Sequence, residues 1–176
     1  MSPFPITIWT IGHSTRSIEE FTGLLGAHGI GAIADVRRHP GSRAHPQFNV
    51  GPLATALEEA GILYESFPEL GGRRRPRADS PNTVWRNPSF RGYADHMAGQ
   101  EYRCGMARLL PYCTRRPTAL MCSEAVWWRC HRAMISDDLK SQGLRVLHVM
   151  SGAKAIEHPY TSPARIVDGR LHYGAG

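Results

Sequence analysis

Residues 122–132 read Cys-Ser-Glu-Ala-Val-Trp-Trp-Arg-Cys-His-Arg and gather two thiols, a carboxylate, an imidazole and two guanidiniums. Cys122 ends an apolar run and precedes a helix-forming segment. There a thiol feels the helix dipole and nearby arginines, which both favour the nucleophilic thiolate. Arg129, Arg132, Arg37 and Arg43 are its candidate neighbours. The rival for Cys122 is a buried structural thiol, the commonest fate of free cysteine. Glu124 is a candidate general acid or base, or a clamp on Arg132 or Arg37. As a carboxylate beside a thiol, it also opposes ionisation of the sulfur. His131 is a candidate catalytic or orienting base. The catalytic candidates are therefore Cys122, Glu124 and His131.

A second polar segment, Asp35-Val-Arg-Arg-His-Pro-Gly-Ser-Arg43, also follows an apolar run. Asp35 and Arg37 can position one another or bind a ligand directly, since a buried carboxylate needs partners. A turn flanked by Pro40 and Gly41 can return Arg43 over the site. His13 and Ser14 follow the first strand. These residues, with Arg132, are the candidate ligand contacts. Trp127 and Trp128 either stack on a planar ligand or cover the edge of the core. Cys122, Cys130 and His131, with His13 or Asp35, could bind zinc. However, adjacent Cys130 and His131 on one helix would point in different directions. No metal ligand and no cofactor is therefore assigned. The run Gly71-Gly-Arg-Arg-Arg75 is either a phosphate-backbone contact or a solvated loop.

These groups need a scaffold, and the hydrophobic pattern supplies one. Ile6–Ile11, Ala32–Val36, Ile62–Glu65, Thr118–Cys122 and Leu144–Val149 read as five strands. Helical faces lie between them: Phe21, Leu24 and Leu25 behind a Ser17–Glu20 capping box, and Leu53, Ala56, Leu57 and Ala60 after Pro52. Phe90, Tyr93, Ala94 and Met97 form a third face capped by Ser89, with more helix to about Leu110. A last helix runs from about Cys130 to Gly143. Residues 71–88 lack an apolar period and read as a basic surface loop. Asp168-Gly169 signals a C-terminal hairpin. Strands alternating with helices predict an α/β fold: a single domain over 1–176 with a mostly parallel sheet of about five strands. Ligands in such folds bind at the carboxyl ends of the strands. His13, Asp35 and Cys122 all fall there.

A chain of 176 residues with 41% hydrophobic and 20% charged content suits one folded domain. No stretch approaches the roughly 20 apolar residues of a membrane span, and the N-terminus lacks a signal-peptide pattern. A cytoplasmic protein is expected, with Cys104, Cys113, Cys122 and Cys130 as free thiols. The net charge is +6, and arginine dominates the basic side. Arginine suits bidentate recognition of phosphate or carboxylate.

The motifs together resemble the domain of unknown function 488 family. They are Thr10-Ile-Gly-His-Ser14, Asp35 to Arg43, Pro68-Glu-Leu-Gly-Gly-Arg73, Arg91-Gly-Tyr-Ala-Asp-His-Met97, and Cys122-Ser-Glu124 with Cys130-His-Arg132. The resemblance runs from about residue 6 to 150, and the tail His158-Pro-Tyr-Thr161 is also similar. It implies an α/β fold and a shared site, and brings no reaction. Three readings follow. The first is an enzyme with a Cys/Glu/His/Arg pocket for an anionic small molecule, nucleotide-like, or a nucleic acid. The others are a non-catalytic nucleic-acid or nucleotide-binding module and a metal-dependent enzyme. Oligomeric state is left open.

Overall fold

The computed structural model describes residues 5–174. Its first strand is β1 (Thr7–Gly12), followed by α1 (Ile18–Ala27), β2 (Ala32–Asp35), α2 (Val50–Glu59) and β3 (Leu63–Ser66). Next come α3 (Pro88–Met97), α4 (Gln100–Cys113), β4 (Thr118–Cys122), α5 (Arg132–Ser141) and β5 (Arg145–Ser151). Three short strands close the chain: β6 (Lys154–Glu157), β7 (Arg165–Val167) and β8 (Arg170–His172). The main sheet has the order β3-β2-β4-β1-β5-β6, and β7 and β8 form a separate hairpin. Its first five strands are parallel, and only β6 runs antiparallel. The expected α/β fold, mostly parallel sheet and C-terminal hairpin are all present.

The central strands β2 and β4 are buried along their whole length. Such strands read as continuous apolar runs because helices cover both faces. Side chains alternate between those faces. Ile11, Ile33, Ala119 and Met121 pack with Phe21 and Leu25 of α1 and Leu53 and Leu57 of α2. Ile8, Ala34, Leu120 and Val146 pack with α4 and α5 through Leu109, Met134, Ile135 and Leu139.

Local chemistry sets the helix starts. Ser17 Oγ accepts from Glu20 N–H at 3.1 Å, which caps α1 as its sequence predicts. The α3 cap is Asn87 rather than Ser89: Asn87 Oδ1 accepts from Ser89 N–H at 2.8 Å. Pro88 explains the shift, because its fixed φ suits the first helical position. The last helix begins at Arg132, two residues later than expected. Cys130 is extended (φ −126°, ψ 149°), and His131 alone turns helical before it. The sixth strand, β6, has no counterpart in the sequence reading.

Three strand ends meet at one edge, because β4 lies between β2 and β1. The pairing continues past them: His13 N–H donates to the Cys122 carbonyl at 2.9 Å, and Val36 N–H to that of Met121 at 3.0 Å. Strands β1 and β2 lead to helices on one face, whereas β4 leads to α5 on the other. A crevice must open where neighbouring strands depart in opposite directions.

Gly12 lets that crevice close at its base. A Cβ at this position would stand 1.9 Å from the Glu124 carbonyl oxygen. We expect Gly12→Ala to lower folding stability by about 2 kcal/mol or more, since rigid backbone cannot yield as a flexible side chain does. Urea denaturation of both proteins checks this, and equal midpoints would contradict it.

Candidate functional site

A cleft of about 410 Å³ opens at this edge. Its floor holds Cys122, Cys130, His131 and His13, and its walls include Arg37, Arg38, Arg73, Glu124 and Arg129. The polar loops after β1, β2 and β4 thus line one cavity, joined by Gly72 from the loop after β3.

The sulfur centre is built by the extended backbone at Cys130. Its Sγ lies 3.5 Å from His131 Nδ1. Arg132 Nε donates to the same sulfur at 3.4 Å. The sulfurs of Cys122 and Cys130 and a nitrogen of His131 all lie within 4.8 Å of one another. His131 Nε2 is 2.9 Å from the Val36 carbonyl, which can only accept, so Nε2 carries the proton. Burial lowers the His131 pKa and keeps the ring neutral. Its bare Nδ1 lone pair therefore faces the sulfurs.

The two thiols differ. Burial opposes ionisation of Cys130, but a hydrogen bond from Cys122 and the charge of Arg132 outweigh it and bring the thiol down to about 6. Cys122, beside an anionic Cys130 and buried, is pushed well up. Arg132 and Cys122 thus favour the anionic form at Cys130 over Cys122, the position the sequence pointed to.

Neighbouring groups hold defined protonation states. His13 Nδ1 donates to the Ser14 carbonyl at 2.9 Å, leaving Nε2 bare at 3.5 Å from Arg37 Nη1. The ring stacks on Phe48 at 4.2 Å, and burial lowers its pKa to about 4. Asp35 does not line the cleft and is fully buried. It accepts a bidentate pair from Arg37 at 2.9 and 2.7 Å, and Tyr64 OH at 2.6 Å. Its role here is to aim Arg37. Glu124 is exposed on the cleft wall, where Oε1 accepts from Val126 N–H at 3.3 Å. Arg43 is exposed and lies off the cleft lining, and Ser14 also lies off it. Ser14 instead takes a left-handed turn (φ 50°) that helps bring His13 inward. Arg132 sits behind the sulfur, 1% exposed, and so orients the floor rather than meeting a ligand.

Behind Arg132 runs a buried chain that sequence reasoning missed. Arg132 Nη1 donates to Thr10 Oγ1 at 3.2 Å, and Thr10 Oγ1 lies 2.6 Å from His148 Nδ1. His148 Nε2 lies 2.8 Å from His158 Nδ1, and His158 Nε2 2.8 Å from Asp137 Oδ1. Asp137 also accepts from Tyr173 OH at 2.6 Å and from Thr161 N–H at 2.9 Å. Because Thr10 accepts from Arg132, its hydroxyl hydrogen is left to donate to His148. Every bond then points from the guanidinium to the carboxylate. The similar tail His158-Pro-Tyr-Thr161 was the available signal. Trp127 stacks flat on His148, at 4.4 Å and 4°, while Trp128 stays half exposed.

The rim is cationic. Among the described residues, Arg38, Arg73 and Arg129 pair with no carboxylate. Arg74, in contrast, is tied to Glu101 at 3.1 Å. The 71–88 loop is also anchored: Asp95 accepts from Arg77 N–H, Ser80 and Asn82 at 2.9, 2.6 and 2.7 Å.

The buried histidines make stability depend on pH. Folded His13 and His148 titrate below the ordinary 6.5 because burial disfavours their charged forms. Below pH 6.5 the unfolded chain binds protons that the folded chain refuses, so stability falls on acidification, for His13 down to about pH 4. Urea unfolding between pH 7 and 4 should show this loss, and His13→Gln should make the slope shallower. An unchanged slope in that variant would contradict the assignment.

The family model for the domain of unknown function DUF488 matches residues 17–139. No curated protein and no solved structure matches the chain.

Proposed function

The chain belongs to the DUF488 family, and on that footing we propose that it is an enzyme acting on an anionic, nucleotide-like ligand. The observation that carries this reading is the position of the Cys130–His131 pair, beneath a rim of three guanidiniums free of carboxylate partners. Guanidiniums in a partly enclosed cleft select phosphate or carboxylate and attract it from solution. The cavity volume falls within the range of small-molecule sites.

The cleft residues divide the work. Arg38, Arg73 and Arg129 bind the anion. Arg37, aimed by Asp35, presents its remaining edge toward His13. The bare Nε2 of His13 and the carboxylate of Glu124 accept protons. Cys130 is the electron-rich centre, and Arg132 holds it in place. Free thiols and an ionised sulfur suit the reducing cytoplasm.

One observation favours a nucleic-acid ligand as a second reading. A groove lined by Arg38, Arg73, Arg74, Arg75 and Arg77 adjoins the cleft and shares two arginines with it. A polymer crossing both would lose affinity steeply with salt, whereas a mononucleotide would show a shallow dependence.

Calorimetric titration with ADP and with adenosine tests the proposal. ADP should bind and adenosine should bind at least tenfold more weakly. The Arg73→Ala, Arg129→Ala double variant should lose at least tenfold in ADP affinity, about 1.4 kcal/mol. Equal affinity for the two ligands, or no binding of either, would overturn the anionic reading.

A further inference from the structure

We propose that Cys122, Cys130 and His131 form a three-ligand site for zinc, with the fourth position open to the cleft. The proposal goes beyond the anionic-ligand reading and rests on donor atoms alone, so either can fail without the other.

The spacing of Cys130 Sγ and His131 Nδ1 fits a tetrahedral ion. With Zn–S near 2.3 Å and Zn–N near 2.05 Å, tetrahedral angles put sulfur and nitrogen about 3.6 Å apart and two sulfurs about 3.8 Å apart. Cys130 Sγ and His131 Nδ1 are 3.5 Å apart, and all three donor atoms lie within 4.8 Å of one another. Consecutive Cys130 and His131 converge because the first is extended and the second opens the helix. That backbone change removes the objection raised by reading both as helical.

The surroundings are those a ligated site needs. His131 uses Nε2–H on the Val36 carbonyl, which fixes the ring and leaves the Nδ1 lone pair 3.5 Å from Cys130 Sγ. Arg132 Nε–H reaches Cys130 Sγ, a bond that steadies a metal-bound thiolate. Two thiolates cancel the charge of a divalent ion, so the ligated cluster itself is neutral. The Arg132 charge already has an outlet, through Thr10, His148 and His158, in Asp137.

Ligand softness selects the metal. Two sulfurs and an imidazole suit zinc and exclude magnesium or calcium, which take oxygen ligands. Three protein ligands mark a catalytic site, because a structural zinc would be closed by a fourth. All three residues line the cleft, so the open position faces it. A zinc held there would lower the pKa of a water bound at that position. Glu124, two residues beyond Cys122 on the same cleft, would take the released proton as a non-ligand base.

The test uses full-length untagged protein, reduced, and reconstituted with Zn(II) or Co(II). One zinc per chain should survive gel filtration. The cobalt form should show thiolate-to-cobalt charge transfer and the visible bands of a tetrahedral site. Cys122→Ser and His131→Gln should each weaken metal binding at least 100-fold. Cys104→Ser, on an exposed thiol outside the cleft, should bind as the parent does. Circular dichroism of each metal-free variant separates lost ligation from lost folding. Failure of the parent to hold stoichiometric metal, or an octahedral cobalt spectrum, would overturn the proposal. So would parental affinity in a folded Cys122→Ser or His131→Gln protein.

Discussion

A buried guanidinium organises this molecule. Arg132 is nearly inaccessible, and it reaches the sulfur of Cys130, the carbonyl of Glu124 and the hydroxyl of Thr10. An isolated charge in such a place would cost several kcal/mol. Besides the sulfur, Arg132 connects to the carboxylate of Asp137 through one hydroxyl and two imidazoles. A chain whose bonds all point the same way is polarised along its length, and each bond strengthens the next. The chain ties β1, β5, α5 and the residues after β6 into one unit. It also fixes the two cleft-side contacts of Arg132, to Cys130 and Glu124. The site floor is therefore held from behind by the interior, independently of what enters the cleft.

That support explains an otherwise costly arrangement. Two cysteines and a bare imidazole nitrogen share the floor of one cavity with a buried arginine behind them, where each would be unfavourable alone. Placed together, the arginine offsets anionic sulfur and the neutral His131 adds no charge. Asp35 repeats the design on the opposite wall. Its carboxylate is saturated by Arg37 and Tyr64, leaving the arginine aimed rather than free. Among the described residues, the rim guanidiniums Arg38, Arg73 and Arg129 have no carboxylate partner, while Arg37 beneath is paired with Asp35. A cleft for an anion needs that division, since a rim arginine already paired inside would hold no ligand.

Much of this was legible in residues alone, and the exceptions have physical causes. Apolar runs and capping signals placed the five parallel strands, because buried strands and amphipathic helices carry distinct periods. The strand β6 escaped because Lys154-Ala-Ile-Glu157 has charged ends and only two apolar residues. Its structure comes from pairing with the edge of β5. The meeting of His13, Arg37, Cys122 and Glu124 followed from parallel strand order. The choice between Cys122 and Cys130 did not, because it turns on where α5 starts, and helix boundaries are weakly encoded. Asp35 and Arg132 were read as ligand contacts, and depth of burial instead places them behind the cleft. Asp137, His148 and His158 lie on separate elements with no shared motif, so only the folded chain shows them touching.

The directional chain and the bare nitrogen at the floor make one claim: His131 and His148 are neutral and each carries its proton on Nε2. Nitrogen-15 NMR of the metal-free protein, labelled at histidine, reads this directly. At about pH 7 the account predicts an unprotonated Nδ1 and a protonated Nε2 at both residues, with only the latter showing a one-bond proton coupling. An imidazolium at either position, or the opposite tautomer at His131, would contradict it.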